Sequence, residues 1–148
     1  MLGRNIKAFL DSNTIISGLL FEGNEATLLE LGRIKAIQLI TNQYVIDEVK
    51  QVLTRPEFNL TTEENRGLTR YLNTCLTITE DPPKEAIEGN INMLNDKKDI
   101  PVALGAIQSK TDYLVTGDKE LQNHPNLPTI TTKNLLDKIL PKKQSQKK

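Results

Sequence analysis

Several things on which a functional site is often built are scarce in this chain of 148 residues. There is one cysteine, Cys75, so no intrachain disulfide can form. There is one histidine, His124, beside Pro125 and without a partner at metal-ligand spacing, and it reads as a loop residue. No apolar run approaches the roughly 20 residues that span a bilayer, and nothing resembles a signal peptide, so a cytoplasmic protein is expected. The Asn59-Leu60-Thr61 sequon carries little weight without secretion. A G-x-x-x-x-G-K-[ST] loop is missing, which argues against nucleotide hydrolysis by that route. No serine or cysteine nucleophile has a base in a recognisable setting. Net charge is also missing, with 19 Lys and Arg against 19 Asp and Glu. The closing PKKQSQKK holds four of those bases and no acid, which leaves residues 1–140 with 15 bases, 19 acids and a net of −4. A domain that grips polyanions by charge alone is normally basic. This one would need cations to meet nucleic acid.

What is present is an alternation. Ile6–Leu10, Ile37–Ile40, Leu76–Thr79, Tyr113–Thr116 and Leu127–Ile130 are short, largely apolar runs that read as strands. Helical spacing lies between them. It follows the Asp11-Ser12-Asn13-Thr14 start, covers Asn24–Ile34 and Asn42–Thr54, and runs to about Cys75 behind the Thr61/Glu64 capping box. It returns at Asp99–Lys110, where Pro101 sits in the first turn, at Lys119–Gln122, and around Leu135–Leu140 before Pro141. Lys84–Leu94 is ambiguous, because Ile87, Ile91 and Leu94 suggest a helix that Gly89 weakens, and 95–99 reads as a loop. Cys75 joins Leu68, Leu72 and Leu76 on one stripe and reads as core. In the helix after Asp99, Val102, Ala103, Ala106 and Ile107 form the predicted packed face, Asp99 projects to the same side, and Gly105 is a cost. The pattern predicts one α/β domain over residues 1–140, a parallel sheet covered by helices on both faces, and a basic, disordered tail at 141–148.

Crossovers in such sheets are right-handed, so the strand C-termini share one edge, where ligands bind in open α/β folds. Asp11 and Asp118 each stand directly after a strand and before a helix. Asp99 begins a helix on that side. On the helix at 42–54, Val45, Ile46, Val49, Val52 and Leu53 make a stripe roughly 100° wide, and Glu48 borders it roughly 40° from Val52 while Asp47 points to solvent. Each acid also has a simpler reading: Asp11 and Ser12 as a helix cap, Glu48 as a solvated side chain. Four carboxylates gathered at one edge are costly, since two charges about 5 Å apart repel by roughly 3 kcal/mol at an effective dielectric of 20. Either protons or a metal must offset that. Oxygen ligands without His or Cys point to Mg²⁺ or Mn²⁺ and away from zinc. Such a site suits phosphoryl chemistry, and spacing alone does not separate diester from monoester.

Four pieces of the chain, in order, resemble the PIN-domain (PilT N-terminus) nucleases, especially the VapC-like toxin ribonucleases of bacteria and archaea. They are F-L-D-S-N-T-I-I-S at Phe9–Ser17, V-I-D-E-V at Val45–Val49, D-K-K-D-I-P-V-A-L at Asp96–Leu104 and D-Y-L-V-T-G-D-K-E-L at Asp112–Leu121. The resemblance implies a three-layer α/β/α sandwich and Mg²⁺- or Mn²⁺-dependent cleavage of RNA or single-stranded nucleic acid. It implies catalytic and metal-binding roles for Asp11, Glu48, Asp99 and Asp118, with Asp11 and Asp99 as direct ligands. Asn13 and Thr116 would support the carboxylates by hydrogen bonds, with Asp96 as a helper. Lys97, Lys98 and Ile100 take places where the family often carries further acids. The resemblance also implies a small antitoxin protein as partner and a homodimer.

Two other readings stay open from sequence. A haloacid-dehalogenase-like phosphatase wants D-x-D after its first strand and a further acid after Gly-Asp, where this chain has Asp11-Ser12-Asn13 and Gln122. A PIN-like scaffold that binds RNA or protein without turnover would not need its acids intact.

Overall fold

Short apolar runs ending in Asx or Thr are the unit from which the domain is assembled. In the computed structural model, which describes residues 5–140, the strands are β1 (Lys7–Leu10), β2 (Gln38–Asn42), β3 (Thr77–Thr79), β4 (Tyr113–Val115) and β5 (Thr129–Ile130). They form one sheet in the order β3-β2-β1-β4-β5, with every pairing parallel. The helices are α1 (Ser12–Leu20), α2 (Asn24–Arg33), α3 (Gln43–Leu53), α4 (Thr62–Cys75), α5 (Lys84–Gly89), α6 (Ile100–Gln108), α7 (Lys119–Asn123) and α8 (Thr132–Ile139), and they flank the sheet as a three-layer α/β/α fold. The basic tail expected to be disordered lies outside the described residues. None of the described helices is long and apolar enough to cross a membrane.

Four of the five strands lead into a helix whose cap is the last residue of the strand or lies within three positions past it. Asp11, Asn42, Asp118 and Thr131 each accept a backbone N–H of the first turn through a side-chain oxygen. The Thr61–Glu64 capping box opens α4 as the sequence predicts. The order of the strands has a consequence for function. The chain moves from β1 outward through β2 and β3, then returns to the other side of β1 for β4 and β5. The switch point therefore falls between β1 and β4, and the crevice at their C-terminal ends is where such sheets bind ligands.

Ala8, Phe9 and Leu10 of β1 are fully buried, as are Leu114 and Val115 of β4. Val45, Ile46, Val49 and Leu53 of α3 turn inward, and Cys75 is buried. Helix α6 differs from its predicted pattern. All residues from Ile100 to Ala106 are buried, Leu104 included, whereas Ile107 is 49% exposed. The helix is enclosed by the sheet on one side and by α3 and α5 on others, so a one-faced stripe does not describe it. Ile107 lies past that enclosure. Gly105 allows the close approach: a Cβ there would stand 2.5 Å from Asn42 Nδ2 and 2.8 Å from Phe9 Cζ. The ambiguous 84–94 segment resolves into α5 followed by turns, and 97–99 is a 3₁₀ turn rather than open loop.

Candidate active site

The switch-point crevice receives its first carboxylate from the end of β1. The Asp11 backbone N–H donates to Val115 O across the β1–β4 seam at 3.4 Å, and Asp11 Oδ1 accepts the Thr14 N–H at 2.9 Å. The side chain is buried, at 8% exposure, and the cap uses one of its two oxygens. Asp118 repeats the arrangement after β4. Its Oδ1 accepts the Leu121 N–H at 3.0 Å, and its own N–H donates to Thr116 Oγ1 at 3.0 Å. Gln122 donates to Thr116 O at 3.0 Å, so the residue that stands in place of a phosphatase's further acid holds the turn instead.

Asp99 comes from the 3₁₀ turn Lys97–Asp99, at the mouth of α6. It occupies the cap position of α6, yet its carboxylate makes no capping bond. Burial pushes this carboxyl up to about 6, and Asp118, Asp96, Asp11 and Glu48 add to the shift by repulsion, in that order. Every other acid expected at the site thus acts on Asp99. Glu48 projects from the second turn of α3, partly buried, with Tyr44 one turn before it. The Tyr44 hydroxyl is pushed up by burial and then by Glu48 and Asp99.

Of the three residues the sequence offers as support for these acids, two make hydrogen bonds beside them and one does not. Asn13 is exposed and makes no hydrogen bond to a carboxylate; its side chain leaves α1 on the solvent side, and the Thr14 backbone serves Asp11 instead. Thr116 is buried and steadies Asp118 through the backbone N–H, not the carboxylate. Asp96 accepts the Lys98 N–H at 3.1 Å and shapes the turn that carries Asp99. Glu120 adds a support that sequence spacing does not signal. Its carboxylate accepts the backbone N–H groups of Asn95 and, at 3.2 Å, Asp96, tying α7 to the loop before Asp99. Asn42 is fully buried, caps α3 through Oδ1 and donates Nδ2 to Pro101 O at 3.1 Å, so the Glu48 helix and the Asp99 helix are joined. Asp81 accepts the Tyr44 N–H at 2.7 Å and steadies the start of α3. Lys97, one of the two lysines where acids were expected, donates to the Ile91 and Leu94 carbonyls and closes the same loop.

Among the described residues, no three Asp, Glu, His or Cys side chains stand close enough together to enclose an ion. The donor chemistry nevertheless suits a hard divalent cation. The groups are all carboxylates, and burial, with the neighbouring acids after it, holds the Asp99 carboxyl above its ordinary value. Mg²⁺ keeps most of its waters and needs only one or two protein carboxylates, so a closed cage is not required.

Fold and site together define a doubly wound α/β domain with an acidic crevice at its switch point. The family model described as PIN domain matches residues 7–120, and the chain belongs to that family, a family of nucleases. A crystal structure of PAE2754 from Pyrobaculum aerophilum is similar, with a TM-score of 0.62 and 17% identity over 88% of this chain and 93% of that one. VapBC2 from Rickettsia felis, solved bound to a DNA fragment from its promoter, is similar with a TM-score of 0.62 and 16% identity over 85% of this chain and 98% of that one. No curated protein sequence matches this one.

Proposed function

We propose that the protein is a Mg²⁺- or Mn²⁺-dependent endoribonuclease and the toxin of a toxin–antitoxin pair. The observation that carries the reading is the convergence of acids on Asp99, whose carboxyl is driven up to about 6 by burial and by Asp118, Asp96, Asp11 and Glu48. Gathering these charges costs the fold unless protons or a cation offset them, and a nuclease uses the cation. When bound, a divalent ion lowers the pKa of a coordinated water and neutralises the phosphate under attack. Asp11 and Asp99 would hold it from the buried side, with Glu48 and Asp118 bordering it, directly or through water. Asp11 and Asp118 each keep one oxygen for a helix cap and have the other to offer. Glu120, Asn42 and Asp96 fix the backbone from which the ligands project. Without the cation the same carboxylates repel a phosphodiester, so substrate binding at the centre is metal-dependent. The antitoxin partner is inferred from membership of the PIN-domain family and from likeness to the VapBC2 structure. A cytoplasmic location and a homodimer complete the reading.

The test is cleavage of single-stranded RNA, structured RNA and single-stranded DNA with Mn²⁺, with EDTA, and by Asp99→Asn. Metal-dependent cleavage of RNA that vanishes in the variant is expected. Folded, metal-bound protein that cleaves none of the three would favour a binding scaffold. For the toxin role, induced expression in a bacterial host should slow growth, and Asp99→Asn should not.

A further inference from the structure

A groove of about 610 Å³ runs from Glu48 along α3 to the turn after it, and Lys98 of the 3₁₀ turn closes its other side. Tyr44, Val52 and Pro56 supply its apolar and aromatic surface, and Arg55 and Lys98 are its cations. Among the described residues, Arg33 is held by Glu30 and Lys133 by Asp137. Lys97 is spent on backbone carbonyls. Among the described residues, the side chains of Arg55 and Lys98 have neither an ion pair nor a hydrogen bond. Asp47 also borders the groove, but its carboxylate accepts from Gln43 at 2.9 Å. Tyr44 joins the two regions. It lines the groove and lies within the field of Glu48, Asp99 and Asp96.

We infer that this groove is the track for an unpaired nucleic-acid strand beside the carboxylate centre, with Arg55 and Lys98 on successive phosphates and a base stacked on Tyr44. The inference rests on the nuclease reading and adds to it the path of the substrate. Free cations spaced along a groove recognise a phosphate backbone, and an aromatic face between them accepts any base. The groove also answers how a domain of net negative charge meets a polyanion: two cations free of ion pairs line the same groove as Glu48, and one of them adjoins Asp99 in the chain. Because Lys98 neighbours Asp99 in sequence, a strand held by it is delivered to that carboxylate and not to a distant face.

The test uses a fluorescein-labelled single-stranded RNA and anisotropy in Mn²⁺, with Asp99→Asn as the non-cleaving background. Adding Arg55→Glu with Lys98→Gln should weaken binding about tenfold or more at moderate salt. It should also flatten the slope of log K against log[salt] by about 1.4, since each single-strand phosphate contact contributes about 0.7. Tyr44→Leu should weaken binding while leaving the slope unchanged. Arg70→Glu, exposed on α4 outside the groove, serves as the charge control and should have little effect. In the cleaving protein the double variant should raise KM and leave kcat within about threefold. RNA bound through these residues by a protein that never cleaves would sustain the track and defeat the nuclease reading. Cleavage and binding unchanged in the double variant would overturn the track and leave the groove to a protein partner. Absence of RNA binding by the parent protein would overturn both.

Discussion

Two carboxylates in this molecule are displaced in opposite directions. Asp99 is pushed up to about 6, and Glu30 is held down at about 2. Glu30 lies on α2 near the opposite edge of the sheet, where Arg33 donates to it from Nε and Nη2 and the Tyr71 hydroxyl donates as well. That acid has a cation and a hydroxyl and lies open to water. Asp99 has neither donor, is partly buried, and is surrounded by acids. The difference separates an acid that locks two helices together from one whose surroundings supply burial and like charge and, among the described residues, no cation or hydroxyl.

Asp99→Asn sharpens the comparison most. Cleavage should fall by at least about 10²- to 10³-fold, as when a principal electrostatic group is removed from an active site. In EDTA the same variant should be more stable than the parent. The folded protein keeps the Asp99 proton up to about pH 6, whereas the unfolded chain releases it near its ordinary value of 3.8. Stability of the metal-free parent therefore falls as pH rises from about 4 to 6 and stays lower above. Asp99→Asn removes that slope and gains on the order of 1–3 kcal/mol at pH 7.5, read as Tm by calorimetry. A variant less stable than its parent at that pH would break the contrast with Glu30.

Glu120→Ala should come next. Both of its oxygens hold backbone of the Asp99 loop, so Mn²⁺ affinity by calorimetry should drop about 10- to 100-fold. Glu120→Gln retains one acceptor and should fall between. An unchanged Mn²⁺ affinity in Glu120→Ala would remove this residue from the site. Gly105→Ala tests the packing beneath the acids. Its Cβ would press on buried Phe9 and on Asn42, which is held by Pro101, and should cost about 1–3 kcal/mol in urea unfolding. Glu30→Gln should change stability least, because the ion pair is half exposed. Its stabilisation is present above the ordinary pKa of 4.5 and is lost as pH falls toward 2. The variant should therefore lose less stability than the parent between pH 5 and 2.5 in parallel urea titrations.

Much of this was legible in the sequence because it is local. Asp11 and Asp118 announce themselves as polar residues between a strand and a helix, and Glu48 as the border of a stripe five residues strong. The parallel sheet follows from the alternation. What escaped is what depends on distant partners. Glu120 meets a loop 24 and 25 positions away, and Asn42 meets Pro101 across 59. Neither pairing leaves a trace in spacing. Gly105 looked like a cost to its helix because propensity knows nothing of Phe9. Ile107 looked buried because a stripe assumes one covered face, and α6 has several. Tyr44 is within reach of the sequence, since it stands one helical turn before Glu48 on the same helix, beside the core stripe.

On the proposed function, the caps at the ends of β1 and β4 bear on how the protein could be silenced. A helix start asks only for an acceptor oxygen, and asparagine supplies one as well as aspartate does. At Asp11 and Asp118 a change of one atom, oxygen to amide nitrogen, would keep both helices started and both turns intact while removing a negative charge from the crevice. A lineage that needed the shape without the activity would have a short mutational path to it, open at either position. The chain carries aspartate at both, and the second oxygen of each is the part that folding does not require.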